Sequence, residues 1–255
     1  MNGNRVDKLL VDLGLAVTRS QAKQLIQEGV VFCDGIKITK PSANIAGDLE
    51  VRKENIFVSR GAHKLEKALA EFTIDPQQLI IADIGASTGG FTDLLLSRKA
   101  KKIYAIDVGH DQLAEKLKND ERVANFEGVN IRYGLKLPEK VDLCVVDLSY
   151  ISLKLVLRAI FDLLTAEGEV IALVKPQFEV GREKLGKNGL VKNSQDRLDC
   201  LLSLYDWCSE NKYYIKAGTI SPLAGKTGNI EYLFYITRQQ ENLLEREKLK
   251  TLDER

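Results

Sequence analysis

Metal-binding, disulfide and membrane signals are all scarce in this sequence. Its four cysteines, Cys33, Cys144, Cys200 and Cys208, include no CxxC pair. Two histidines, His63 and His110, without a Cys/His cluster leave no basis for a structural zinc site, and no metal is expected. Three of the cysteines lie inside apolar patterns, which reads as reduced, buried thiols in a cytoplasmic protein. No apolar run approaches the roughly 18 residues that a membrane-spanning helix needs. The opening MNGNRVDKLL has no apolar h-region, so no secretory signal is expected. An excess of one charge is missing as well: 37 Lys+Arg against 36 Asp+Glu leave a net charge of +1. Any nucleic-acid site must therefore come from local clustering of cations.

Enough is present for a packed core. The 255 residues are 44% hydrophobic and 29% charged, which excludes wholesale disorder. At roughly 150 residues per domain, the length suits one large domain or two unequal ones.

Residues 1–58 read as a small α+β unit. Val6, Leu9, Leu10 and Leu13 recur at helical spacing before Gly14. Thr18 or Ser20 can cap a second helix whose inner face is Ala22, Leu25 and Ile26, and Gly29 ends it. VVFCDGIKIT and LEVR are short strand-like runs, with a turn at Asp34-Gly35. A unit this small is marginal alone, so docking should matter to it. Residues 1–62 hold nine Lys/Arg and seven Asp/Glu, so placement must do what the total does not. Arg5 and Lys8 are expected on the outer face of the first helix, and Arg19 and Lys23 stand four apart on the second. Such a face could grip a phosphate backbone, and it also fits an ordinary solvated surface. The stretches Arg5-Val-Asp-Lys-Leu-Leu10, Thr18-Arg-Ser-Gln-Ala-Lys23, Gly29-Val-Val and Asp34-Gly-Ile-Lys37 resemble the S4 RNA-binding domain. That resemblance implies an RNA-docking module with Arg5, Arg19 and Lys23 on its binding face.

The remainder opens on a nucleoside-site pattern. LIIAD (79–83) is an apolar run closed by an acid, as in a buried parallel strand. Gly85-Ala-Ser-Thr-Gly-Gly-Phe91 follows, and a helix is expected from Thr92. Glycines there let the backbone approach a ligand, at a helix N-terminus that favours polar groups. The strand KIYAID ends at Asp107, the offset from which an acid reaches ribose hydroxyls. A structural glycine turn in another α/β fold could show the same spacing. Ser87 stands where a dinucleotide fingerprint has its second glycine, which argues against a pyrophosphate cradle. Asp83 suits an ammonium group, which S-adenosylmethionine has and NAD lacks.

VDLCVVD (141–147), EVIALVK (169–175) and TISPLAGKTGNIEYLFYIT (219–237) supply later strands, with Glu231 early in the last. Strands alternating with helices predict a doubly wound, mostly parallel Rossmann-like α/β sheet with an antiparallel final strand. Asp83, Asp107, Asp147 and Lys175 then fall at strand carboxyl ends, where open α/β sheets bind ligands. A lysine closing an apolar strand is costly unless paired or functional, although its terminus can also snorkel to solvent.

These features combine with Ser59-Arg-Gly-Ala-His-Lys-Leu65, Val146-Asp-Leu-Ser-Tyr-Ile-Ser-Leu153, Leu173-Val-Lys-Pro-Gln-Phe-Glu179 and Gly228-Asn-Ile-Glu-Tyr232. Over nearly all of residues 4–238 the chain resembles the TlyA family of S-adenosylmethionine-dependent rRNA 2′-O-methyltransferases, whose catalytic domain is similar to the FtsJ RNA methyltransferases. The resemblance implies a catalytic tetrad at Lys64, Asp147, Lys175 and Glu231. It implies cofactor contacts at Asp83, Gly85, Ser87, Gly89, Gly90, Phe91 and Asp107, with Asn130 toward the adenine. It also implies ribosomal RNA or ribosomal subunits as partner, cytidine as target and Arg60 among the RNA-facing cations. The expected division is an S4-like domain at 1–58, a linker with the lysine motif at 59–64, the methyltransferase domain at 65–238 and a charged tail at 239–255. Two departures from the family pattern stand out. Ala62 replaces a second glycine in the lysine motif, and Glu127-Gly-Val-Asn130 differs from the commoner form of its loop.

A ribose 2′-hydroxyl is a poor nucleophile and needs positioning and a base. The expectation is that neutral Lys175 is that base, oriented by Asp147, with Lys64 nearby and Glu231 fixing Lys64 or the ribose. Lys64 itself is expected just before a helix. The Gly-rich stretch 182–197 carries five cations and two acids, and Lys184, Lys187 and Lys192 are expected on RNA backbone or on a plain surface loop. The tail 239–255 mixes cations and acids and reads as a solvated surface. Three other readings stay open: a binding protein with a degenerate enzyme domain, an NAD-dependent oxidoreductase, and a cytolysin, after the family's historical haemolysin names.

Overall fold

Helical and alternating apolar spacings build the start of the chain as expected. In the computed structural model, which describes residues 4–27, 29–51 and 57–252, the chain divides into two units, Met1–Phe57 and Val58–Arg255. The first runs β1 (Asn4–Arg5), α1 (Val6–Asp12), α2 (Arg19–Gln27), β2 (Val31–Cys33), β3 (Ile36–Lys37), β4 (Asn44–Ile45) and β5 (Leu49–Val51). Thr18 caps α2, its Oγ accepting from Gln21 N at 3.2 Å. Asp34 (φ 49°) and Gly35 (φ 77°) turn the β2–β3 hairpin, and β5 pairs with the other edge of β2. Of LEVR, Arg52 lies outside the described residues. Val6, Leu10, Ala22, Leu25, Ile26 and Val31 form the core of this unit. Arg5 lies in β1 ahead of α1, not on the helix face. It was misplaced because the apolar repeat marks a helix but not its first residue.

The second unit runs α3 (Gly61–Glu71), β6 (Ile80–Ile84), α4 (Gly90–Ser97), β7 (Lys102–Ile106), α5 (Glu115–Lys118), β8 (Val123–Phe126), β9 (Val141–Val146), α6 (Leu157–Phe161), β10 (Leu164–Val174), α7 (Pro176–Glu179), α8 (Ser194–Glu210), β11 (Tyr214–Ile220) and β12 (Tyr232–Thr237). One seven-stranded sheet has the order β11-β12-β10-β9-β6-β7-β8. Strands β10 through β8 pair parallel, and β12 lies antiparallel between β10 and β11. The doubly wound α/β sheet with an antiparallel closing strand is thus present. The apolar runs of β6, β9 and β10 are buried, as parallel strands in an α/β sheet are.

Several elements differ from expectation: α4 begins at Gly90 rather than Thr92, and β10 begins at Leu164 rather than Glu169. Helix α3 begins at Gly61, so Lys64 sits inside it rather than ahead of it. The tail is not simply solvated: Leu249 is fully buried, Arg246 forks onto Asp206 at 2.7 and 2.8 Å, and Leu244 N donates to Ile215 O. Mixed charge hid an apolar anchor, with Leu244 and Leu252 packed against the same core. All four cysteines are buried, and burial pushes the Cys200 and Cys208 thiols up to about 12.

Gly85 fixes the end of β6 against β9. Its φ is +86°, and a Cβ there would lie 2.4 Å from the Asp147 carbonyl oxygen. Gly85→Ala is therefore expected to destabilise the fold by about 2 kcal/mol or more. Thermal unfolding measures this, and an unchanged Tm would contradict the close approach.

Candidate active site

Adjacent parallel strands deliver charged side chains to one edge of the sheet. β10, β9 and β6 are neighbours, and their carboxyl ends carry Lys175, Asp147 and Asp83. Beside them lies a cleft of ≈ 480 Å³. Lys64 reaches it from α3 and Glu231 from the residue before β12.

Lys64, Asp147, Lys175 and Glu231 form two ion pairs in this cleft. Lys64 Nζ donates to Glu231 Oε2 at 2.6 Å. Lys175 Nζ lies 2.6 Å from Asp147 Oδ1 and donates to Ser149 Oγ at 2.9 Å. The Lys175–Asp147 contact is ionic rather than an aligned hydrogen bond, so Asp147 Oδ1 keeps its acceptor capacity. Both lysines and Glu231 are largely buried, so each charge depends on its partner.

Asp83 is buried at the cleft wall. Its Oδ2 accepts from Thr92 N at 3.0 Å and Thr92 Oγ at 2.7 Å, while Oδ1 has no partner among the described residues. Burial pushes this carboxyl up to about 7; the Thr92 hydroxyl and amide pull it down, and Asp147 and Asp107 push it further up. An orphaned carboxylate oxygen in a cleft is a fit for a cationic group.

Gly85, Ser87, Gly90 and Phe91 line the same cleft. Gly89 does not; it is the left-handed cap of α4 at φ 93°. Asp107 accepts Ser87 N at 2.8 Å and Gly109 N at 2.7 Å, and so holds the glycine loop. A second cavity of ≈ 500 Å³ adjoins the first, sharing Gly85, Ser149, Tyr150 and Phe178. Ile106 and Val108, on either side of Asp107, line it, as does Asn130, whose Oδ1 accepts from Arg132 N at 3.1 Å.

Several site residues were not singled out by the sequence, although Tyr150 and Glu179 lie within its quoted motifs. Tyr150 is 90% exposed, at φ 65°, and faces both cavities with its ring 5.1 Å from Phe178. A tyrosine held in the left-handed region stores strain, which native folds keep mainly at working sites. Glu179 accepts from Ser152 Oγ at 2.6 Å and Leu153 N at 2.7 Å, tying the loop after β9 to the turn after β10. Its position four residues after Lys175 was a hint. Lys226 also lines the cleft and is exposed.

The cations expected on RNA fall into two groups. Arg60 lines the cleft and is exposed, as are Lys187 and Lys192 on their loop and Lys23 on α2. Lys184 is instead bound to Asp196 at 2.9 Å and Asp199 at 3.6 Å on α8. Arg5 and Arg19 converge on the buried Asp7, at 3.0 and 2.7 Å, and their hydrogen bonds hold its carboxyl well below the usual range. One acid under two half-exposed arginines leaves a net positive spot on the first unit.

Comparison with known proteins agrees with this geometry. The FtsJ-like methyltransferase model matches residues 57–238 and the S4 domain model matches residues 4–51. The chain is 42% identical over 248 residues to the 16S/23S rRNA (cytidine-2′-O)-methyltransferase TlyA of Mycobacterium tuberculosis, covering 94% of this chain and 92% of that one. It is 39% identical to Hemolysin A of Brachyspira hyodysenteriae over 237 residues, 90% of this chain and 98% of that one. A solved Streptococcus thermophilus structure with a provisional hemolysin name superposes at a TM-score of 0.75 with 38% identity, covering 100% of this chain and 95% of that one. Among the described residues no helix is long and apolar enough to cross a membrane.

Proposed function

This chain belongs to the FtsJ-like methyltransferase family, and on that premise we propose that it transfers a methyl group from S-adenosylmethionine to the ribose 2′-hydroxyl of a cytidine in ribosomal RNA. The observation that carries the reading is the cleft in which the Lys64–Glu231 and Lys175–Asp147 pairs share a wall with the orphaned Asp83. Relatives across more than 90% of the chain bear that activity in their names. Such a protein works where ribosomes are, in the cytoplasm.

The residues present fit the cofactor. Asp83 Oδ1 would take its ammonium, the loop from Gly85 to Phe91 would admit its amino-acid moiety, and the cavity flanking Asp107 with Asn130 would take the nucleoside. When bound, the cofactor supplies an electrophilic methyl group on a sulfonium. The chain must then bring the hydroxyl into line and remove its proton. Lys175 Nζ is the acceptor in this account. Asp147 and Ser149 hold it in place, and Lys64, steadied by Glu231, binds the sugar or its phosphate. To accept that proton Lys175 must be the neutral amine, so the ion-paired ammonium has to release a proton to solvent before transfer. Tyr150 offers a stacking face for the target base.

The division of labour proposed is RNA docking by residues 1–58, the lysine motif at 59–64, methyl transfer by 65–238 and support from the tail at 239–255. Arg5, Arg19, Lys23, Arg60, Lys187 and Lys192 are the backbone contacts, and Lys184 joins them only by leaving its acids on α8. Neutralising Lys187 and Lys192 together is expected to lower the slope of log affinity against log salt by about 1.4–1.8. Neutralising Lys184 alone should change it less. An unchanged slope for the double variant removes this loop from the interface.

Isotope-labelled S-adenosylmethionine and purified ribosomal subunits test the proposal. Label is expected in ribosomal RNA; label absent from RNA with every subunit preparation would overturn it.

A further inference from the structure

Among the described residues, the buried side-chain oxygens without a hydrogen-bond partner are Asp83 Oδ1, Asp147 Oδ1 and Gln177 Oε1. All of these residues line the same cleft. A buried acceptor without a donor is costly, and native folds keep few of them. The first suits the cofactor's ammonium, and the second lies 2.6 Å from Lys175 Nζ. Among the described residues nothing donates to Gln177 Oε1. This residue stands in α7, two positions after Lys175 and next to Phe178, whose ring lies 5.1 Å from Tyr150. Its amide is therefore in the wall that carries both the proton acceptor and the exposed ring. The last torsion of a glutamine is broad, so the oxygen can turn into the cleft at small cost.

We propose that Gln177 reads the target base, its amide oxygen accepting a hydrogen bond from the exocyclic amine of cytosine. The inference rests on the ribose-methylation reading above and adds the residue that sets base preference. Cytosine offers an N–H donor at the position where uracil offers a carbonyl. Turned to that edge, the oxygen is satisfied by cytosine; uracil can be met only by the amide nitrogen, which leaves the oxygen buried without a donor. A site built around a hydrogen bond rejects a ligand that cannot make it, because its own buried polar group stays unpaired. Tyr150 stacks without regard to base, so discrimination must come from an edge contact.

The test uses the full-length protein and ribosomal particles carrying either cytidine or uridine at the nucleotide that the wild type methylates. The wild type is expected to favour cytidine in kcat/KM by about tenfold or more, the worth of one neutral hydrogen bond. Gln177→Leu should bring the cytidine-to-uridine ratio close to one by lowering cytidine transfer alone. Gln177→Glu, which keeps the acceptor, should retain the preference. Cofactor affinity, measured by calorimetry, should be unchanged in both variants and also reports their folding. An unaltered ratio overturns the proposal. So does an equal loss on both substrates, which assigns Gln177 to the sugar, or a fall in cofactor affinity, which assigns it to the cofactor. A wild type that methylates no ribose would overturn the underlying activity, an outcome distinct from any of these.

Discussion

Lys175→Ala is expected to slow methyl transfer by about 10²–10⁴-fold, equivalent to roughly 3–5 kcal/mol of barrier, with RNA and cofactor affinities close to wild type. The reason is that a ribose hydroxyl must lose its proton as the methyl arrives, and Lys175 Nζ is placed in the cleft by Asp147 at 2.6 Å and Ser149 at 2.9 Å. Lys175→Arg should fail as well. A guanidinium keeps the positive charge but stays protonated, and its planar fork does not fit a site made for a point charge. Single-turnover rates with saturating cofactor separate this loss from binding. A Lys175→Ala enzyme with a wild-type rate would contradict the proton-acceptor role, and an active Lys175→Arg enzyme would reduce that role to charge alone.

Asp83→Asn is expected to act in opposite directions on stability and on cofactor binding. The wild-type carboxyl is pushed up from 3.8 to about 7, chiefly by burial. A folded-state value above the unfolded one means that the folded protein holds its proton longer. Stability without cofactor therefore falls as pH rises from about 4 to 7 and then levels off, for a total on the order of 4 kcal/mol. Asparagine carries no charge, so this decline should disappear and the variant should melt higher than wild type above pH 7. Its carbonyl can still accept from Thr92 N and Thr92 Oγ, as Asp83 Oδ2 does at 3.0 and 2.7 Å. Cofactor affinity should fall by about tenfold or more, because a charge-assisted partner of the ammonium is lost. For the wild type, affinity should weaken as pH drops below about 7, and for the variant it should be nearly flat. Melting curves and calorimetric titrations between pH 5 and 8 measure both effects. Unchanged cofactor affinity in Asp83→Asn would contradict the ammonium assignment.

Fold and site were legible in the sequence to different depths. The sheet could be read because β6, β9 and the second half of β10 are largely apolar runs, each ending near a charge, a pattern with few solutions in an α/β fold. Asp83, Asp147 and Lys175 could be placed at ligand-binding ends by the same logic. Lys64 could not, because on α3 it resembles any helix-surface cation until Glu231, distant in sequence, meets it at 2.6 Å. Tyr150, Gln177 and Glu179 stand in quoted motifs, but their roles were not legible, for a related reason. A left-handed φ, an orphaned amide oxygen and a half-buried loop-bridging carboxylate are tertiary facts with no local spacing. Arg5 and Arg19 were read as free cations, whereas the buried Asp7 draws them together, a contact across 12 positions for Arg19. Leu249 shows the converse error, since a charged segment can dock through a few apolar side chains, here with Leu244 and Leu252.

The central claim is that the acceptor is a sugar oxygen rather than a base atom, and alkaline hydrolysis of the labelled product tests it most directly. A 2′-O-methyl group removes the hydroxyl that alkali uses to cleave the adjacent phosphodiester. RNA labelled by this protein and digested with alkali should release its label in resistant dinucleotides. Label recovered in mononucleotides would place the methyl on a base and contradict the account.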